Sequence, residues 1–342
     1  MDTFVSYLGT GHGVYRLDAD GVTPLGLEAQ RVSAVHAWRA PSGDVVILAG
    51  SYENGLLRSA DGGANWTAAN AGLSASCLRC IGPDPLNAGA LLCGTEPGRA
   101  YRSTDDGQSW EELRGLRELP GYAAWYLPYS PRAGALRNFY APPGGGRRLL
   151  ASIEVGGLLD SPDGGATWRY LPVPPDYDIH HITGDPADAQ TLYASLGYAG
   201  PPQGVDGSPQ AGAVDGRRYG GIARSRDGGQ SWTRLERDYT RATLVPSARP
   251  DLLLAGPAPE VGAQGRMVVS ADGGDSWKPA GHGLAQPMED MVELFVEAPD
   301  GSVRAICAGG RLLQAEPGEW QWRTAIPGVE NLGVESVAFV AA

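Results

Sequence analysis

The chain alternates short apolar runs with clusters of glycine, serine, aspartate and proline, and no segment keeps a 3.6-residue period long enough for a long amphipathic helix. Runs such as GLLR, RAYR, GLLD, GIAR and MVV are each followed by a polar, glycine-rich turn and then by a second short strand, which predicts β-hairpins. The turns repeat as Ser-x-Asp-[Gly/Asp]-Gly-x-[Asn/Ser/Thr]-Trp at Ser59–Trp66, Ser103–Trp110, Ser161–Trp168, Ser225–Trp232 and Ser270–Trp277. In such a turn the carboxylate accepts backbone N–H bonds, the glycines supply positive φ, and the tryptophan packs over the turn from the returning strand. Asp61, Asp105, Asp163, Asp227 and Asp272 are therefore expected to be structural.

These aspartates stand 44, 58, 64 and 45 residues apart, the length of a four-stranded blade with two enlarged copies. Two degenerate turns extend the series: AEPGEWQW at Ala315–Trp322, with Pro317 in the aspartate position, and VYRLDADG at Val14–Gly21. Seven turns predict seven blades. The chain begins inside a blade, with TFVSYLG and GVYRL, and ends on the unpaired strand VESVAFVA, which is expected to complete the first blade and leave no open sheet edge. The expectation is an all-β, single seven-bladed β-propeller of four-stranded antiparallel blades spanning 1–342, closed by the C-terminal strand.

With the turns in place the chain resembles the Asp-box (BNR-repeat) propellers, a superfamily of sialidases, sortilin-type receptors, xyloglucan-cleaving glycosidases and photosystem II assembly factor-like propellers. It is most similar to the single-domain, seven-bladed assembly-factor-like group, where prolines near the ends of inner strands recur with the turn. The resemblance spans nearly the whole chain and implies the fold more firmly than a function, because such turns serve enzymes and scaffolds alike. A sialidase would carry an Arg-Ile-Pro motif, absent here, although Arg31, Arg79, Arg137 and Arg241 are candidate carboxylate-binding arginines. The xyloglucan-cleaving enzymes place their cleft between two propellers, and this chain has length for one.

Charge and targeting narrow the partners. A formal charge of −12 disfavours nucleic acid and anionic membranes. MDTFVSYLGTGHG lacks a basic n-region and an apolar h-region, and no later run could span a bilayer, so a cytoplasmic location is expected unless a leader was removed. Cys77 and Cys80 form a C-x-x-C spacing within a strand, where neighbours three apart point to opposite faces; without a second pair they read as small core residues. Phosphate-loop and nucleophile-elbow motifs are absent.

Prolines Pro41, Pro85, Pro143, Pro186, Pro250 and Pro299 align the inner strands and place the two insertions at about Leu116 to Ala135 and Gly197 to Gly220. In an up-and-down blade both insertions lie opposite the aspartate turns and crown one face, the candidate functional face. The first holds Tyr122, Trp125, Tyr126 and Tyr129, which either stack on a ligand or bury their loop against blade 4. Six residues before the marker proline stand Arg79, Arg137, His180 and Glu293, and one position later His36, Asn138 and His181. With Asp178, Arg241, Glu289, Asp290 and Glu335 nearer the crowned face, they predict a polar channel mouth.

That mouth suits a small molecule or glycan better than a protein partner. His36, Arg79, Arg137, His180, Arg241, Tyr122, Trp125 and Tyr126 are the ligand-binding candidates, and His181, Glu293 and Asp178 the candidates for acid, base or electrostatic work in hydrolysis or elimination. A non-catalytic scaffold that holds a protein is the alternative. A metalloenzyme is the third reading: no cofactor is required by the sequence, but His12, His36, His180, His181 and His282 all fall on inner strands or the candidate face, a divalent metal is compatible with His12, His36, His181 and His282, and Asp178 and Glu154 are near enough to be considered. Adjacent His180 and His181 are expected on opposite sides of their strand, so that only one lines a given site.

Overall fold

The computed structural model describes residues 4–125, 134–172, 177–199, 220–325 and 332–342. Seven four-stranded antiparallel sheets form a ring, a seven-bladed β-propeller whose only described helical turns are short 3-10 segments at Arg114–Leu116 and Tyr122–Ala124. Blade 1 takes its innermost strand from the C-terminus: Val334–Ala341 pairs antiparallel with Phe4–Thr10, which continues into Gly13–Asp18 and Gly21–Pro24. The last strand thus completes the first blade. The other inner strands, in order around the ring, are Val32–Arg39, Cys77–Pro83, Ala135–Tyr140, Ile179–Asp185, Tyr239–Leu244 and Val292–Glu297.

The second strands read as continuous apolar runs because both faces are covered by neighbouring blades. Leu91–Glu96, Leu149–Glu154 and Leu253–Ala258 are buried at every position. The core therefore lies between blades rather than on the axis. One such cluster joins Leu92, Leu136, Leu149, Ile153 and Leu159, and another joins Leu254, Val292, Phe295, Ala305 and Trp322. Glycine enters where a side chain would collide: a Cβ on Gly94 would lie 2.5 Å from Leu136 Cδ2, so the glycine lets blades 3 and 4 close on each other.

The five aspartate turns have one geometry. In the first, Ser59 Oγ donates to Asp61 Oδ1 at 2.8 Å and accepts from Gly63 N–H, Asn65 N–H donates to Asp61 Oδ1 at 2.9 Å, and Gly62 and Gly63 have φ of 71° and 99°. Asp105, Asp163, Asp227 and Asp272 make the same serine and backbone bonds. Hydrogen bonds to the ionised form hold Asp61, Asp105, Asp163 and Asp227 at a pKa of about 2, with Asp272 lowered as well. These turns join the third strand to the outer strand, at the end of each blade where the inner strand finishes. The inner strands begin at the opposite face.

Candidate functional site

Side chains of a regular inner strand point toward neighbouring blades, not into the channel. Each inner strand breaks that rule once. Its ladder with the second strand carries one extra residue near the beginning: pairing runs from Val32 to Ala34, Leu78 to Cys80, Leu136 to Asn138, Ile179 to His181, Val292 to Leu294 and Val334 to Ser336, and from Thr240 to Thr243, where Arg241 and Ala242 stand opposite the single Gly256. A β-bulge leaves the extra residue unpaired and re-aims its side chain. The extra residues are Ser33, Arg79, Arg137, His180, Arg241, Glu293 and Glu335, and all seven line one cavity of about 690 Å3 at the channel mouth opposite the aspartate turns.

The ring is organised as ion pairs. Arg79 lies 3.5 Å from Glu96 and 3.3 Å from Glu154 and also donates to the Tyr52 hydroxyl; Arg137 reaches the same Glu154 oxygen at 3.3 Å. Arg241 Nη1 lies 2.7 and 2.6 Å from the two oxygens of Glu293, and Arg31 Nε meets Glu335 at 2.5 Å. Tyr52 lies under both Arg31 and Arg79, with guanidinium carbons 4.7 and 5.0 Å from its ring centre. On the blade 5 side, the Tyr239 hydroxyl accepts from Arg241 Nε at 2.7 Å and lies 3.1 Å from His180 Nε2, which stands 3.2 Å from Asp178 Oδ1. Burial raises the Tyr239 phenol well above its ordinary value, so it remains neutral.

Asn138 does structural work. It donates to the Ile182 carbonyl, accepts from Ile182 N–H, and is held by Ser152 Oγ at 2.6 Å, stitching blade 4 to blade 5.

Several expected positions move. His180 and His181 both line the cavity, because His180 is the bulged residue and the alternation expected across the pair is lost. The corresponding bulge in blade 3 interrupts the alternation between Cys77 and Cys80; Cys77 is buried, Cys80 forms part of the cavity wall, and none of the four cysteines is in a disulfide. His36 lies at the opposite end of the channel, where a second opening is lined by Val35, Glu297, Pro299 and Asp300. The proline ruler misplaces it: Pro85, Pro143, Pro186 and Pro299 follow their bulges by six residues, whereas Pro41 follows Ser33 by eight. His36 stacks on Trp38, and burial lowers its pKa to about 4. Burial, aided by Arg137, also lowers His181 to about 4, so His181 is a neutral hydrogen-bonding group at pH 7 and not a proton carrier poised near neutrality.

Of the insertion aromatics, Trp125 is 4 % exposed and Tyr122 packs on it at 4.8 Å; both belong to the cluster beneath blade 4, where Trp125 Nε1 donates to Tyr170 Oη at 3.0 Å. Tyr126 and Tyr129 lie outside the described residues, as does most of the insertion at Gly197 to Gly220. His12 and His282 are exposed, and Asp290 is paired with Arg311 at 2.5 Å. Among the described residues the compact metal-ligating group is Glu154, Asp178 and His180.

Tyr52, Glu96 and Tyr239 are site residues that the sequence pattern did not single out. Glu96 had a signal: LLCGTE and LLASIE both end an apolar second strand on glutamate, placing Glu96 and Glu154 at one step of adjacent blades. Tyr52 follows the equivalent strand of blade 2 and had none.

No family model matches the sequence, and no curated protein matches it significantly. The seven four-stranded sheets make the chain a seven-bladed propeller, and solved structures are similar to it in fold. The GH74 xyloglucanase from Xanthomonas campestris is similar over 99 % of this chain and 52 % of its own, with TM-score 0.66 and 17 % identity. YCF48 bound to D1 peptide is similar over 92 % of this chain and 90 % of its own, with TM-score 0.60 and 17 % identity. Sqt1 from Chaetomium thermophilum, bound to the N-terminus of ribosomal protein L10, is similar over 99 % and 94 %, with TM-score 0.56 and 12 % identity. At these identities the likeness is one of fold. The chain spans about half the length of the GH74 xyloglucanase, and no helix among its described residues is long and apolar enough to cross a membrane.

Proposed function

We propose that the channel mouth binds a polyhydroxylated small molecule, a saccharide or similar polyol. The observation that carries this reading is the set of ion pairs around the mouth, in which each arginine is already matched by a carboxylate: Arg31 by Glu335, Arg79 and Arg137 by Glu154, Arg241 by Glu293. An anionic ligand would have to displace these pairs. A hydroxyl group, which donates and accepts at once, can bridge a guanidinium and its carboxylate without breaking either. Tyr52 adds an aromatic face, and a cavity of about 690 Å3 falls within the roughly 300–1,000 Å3 span of small-molecule sites.

The alternative is a peptide across the rim, a reading favoured by the similarity in length and fold to the single-propeller YCF48 bound to D1 peptide. A thermal-shift and calorimetric screen with neutral oligosaccharides, sugar acids and short peptides separates the two, since a ligand that binds the native state raises the melting temperature. Neutral saccharides are expected to stabilise the protein, with Arg137→Ala and Glu293→Gln each weakening binding by about tenfold, roughly 1.4 kcal/mol. A response confined to peptides, or saccharide binding indifferent to both variants, overturns the reading.

A further inference from the structure

The blade 5 wall of the cavity carries a group that the ion-pair ring leaves unbalanced. Asp178, His180 and Glu154 are 5 %, 3 % and 5 % exposed, and one potential ligand atom from each lies within 4.8 Å of the others. Asp178 Oδ2 accepts from Ala199 N–H at 3.2 Å, but Oδ1 is buried without a hydrogen-bond partner, and the neighbouring His180 Nε2 has only the Tyr239 hydroxyl, at 3.1 Å, as its hydrogen-bond partner among the described residues. Oδ1 stands 3.2 Å from His180 Nε2 without forming a hydrogen bond. That separation is what two ligands of one tetrahedral ion show, because bonds of about 2.0–2.1 Å place their ends about 3.3 Å apart.

Formal charge points the same way. Among the described residues Arg79 and Arg137 pair with Glu96 and Glu154, and Arg241 pairs with Glu293, whereas Asp178 faces His180 and no arginine. An excess buried carboxylate is costly without a counter-charge. The backbone also makes room for this arrangement. At the step of the second strand where blades 3 and 4 carry Glu96 and Glu154, blade 5 has Gly197, and a Cβ there would lie 2.0 Å from Asp178 Oδ2 and 2.6 Å from His180 Nε2. Glycine is what permits the aspartate and the histidine to fold together over this strand.

We propose that Glu154, Asp178 and His180 form a divalent-cation site of the zinc type, open on the cavity side. The imidazole nitrogen selects a borderline transition ion over calcium or magnesium, which prefer all-oxygen shells. Side-chain shifts of under ~1 Å bring the three ligand atoms to bonding distance. Arg79 and Arg137 on one oxygen of Glu154 orient that carboxylate, as outer-shell partners do at metal sites. Glu154 and His180 line the cavity, so the remaining coordination positions face whatever occupies it, water or a ligand hydroxyl. The cation site stands or falls independently of the saccharide assignment, because metal content is read with the cavity free of organic ligand.

The test uses the full chain purified without a histidine tag, stripped with chelator, desalted, and titrated with Zn2+, Mn2+, Ca2+ and Mg2+ by calorimetry, with bound metal counted by mass spectrometry. One equivalent of Zn2+ is expected at micromolar affinity or tighter, weakened at least a hundredfold by Asp178→Asn and by His180→Gln and unchanged by His36→Gln and His282→Gln. Crystals soaked in Zn2+ are expected to show one anomalous peak between Asp178, His180 and Glu154, a readout that needs no variant. Absence of stoichiometric binding, survival of the site in Asp178→Asn, an anomalous peak elsewhere, or Ca2+ competing equally with Zn2+ overturns it.

Discussion

A single aspartate does two kinds of work in each turn, binding serine on one side and backbone N–H groups on the other, and the depressed pKa is the record of those bonds. Because the folded-state pKa of about 2 lies below the ordinary 3.8, the unfolded chain takes up these protons first. The stabilisation is fully present above about pH 4 and is lost as pH falls toward 2. Asp163→Asn is expected to lower the melting temperature at pH 7 and to flatten the decline between pH 4 and 2; an unchanged slope would count against the assignment. His36 and His181 have the opposite chemistry but the same pH direction. Their pKa of about 4 lies below the ordinary 6.5, so the unfolded chain binds more protons between those values and stability falls as pH drops from 6.5 toward 4. Imidazole resonances followed by NMR should titrate near 4 for both; midpoints near 6.5 would show that neither ring is desolvated.

At the scale of the strand, the bulge is the device that turns a packing element into a functional one. On each inner strand the bulge turns the skipped residue toward the channel mouth, and in places the residue after it, as at His181 and Cys80, so a position per blade is released from the core and tolerates charge. The residue before the blade 4 bulge is not released. Leu136, next to the Arg137 bulge, is fully buried between blades 3 and 4 and packed close to Gly94. Leu136→Ala is expected to cost about 2–5 kcal/mol in urea denaturation, from lost burial and the cavity left behind. Arg137→Ala, one residue away, should cost much less and act on binding instead. Equal destabilisation by the two would mean that the bulged side chain is part of the core.

For the whole molecule the decisive feature is closure. The strand Val334–Ala341 is both the last segment of the chain and the innermost strand of blade 1, against Phe4–Thr10. Without it, the second strand of that blade would present an unpaired edge to the channel. A chain ending at Gly333 is expected to lose cooperative thermal unfolding and to associate on size-exclusion chromatography; a monomer with an unchanged melting profile would show that closure is dispensable. Closure also completes the mouth, since Glu335 on that strand is the seventh bulge residue and the partner of Arg31.

The amino-acid sequence by itself determined the blades. Turn chemistry is local, acting over eight residues, so SADGGANW or SRDGGQSW announces a hairpin wherever it stands, and regular spacing then gives the number of blades and the unpaired last strand. Part of the site was legible by the same logic, because Arg79, Arg137, His180 and Glu293 are charged or polar residues where an inner strand should be apolar. What only the tertiary structure decided is which polar groups meet. Glu154, Asp178 and His180 come from two blades, and Arg241 reaches Glu293 across another blade boundary. A β-bulge is a property of the pairing between two strands and leaves no mark on either strand alone, which is why His36 read as a channel-mouth residue and Ser33 did not. The sequence holds the side chains, and the phase of the backbone ladder chooses which of them face the channel.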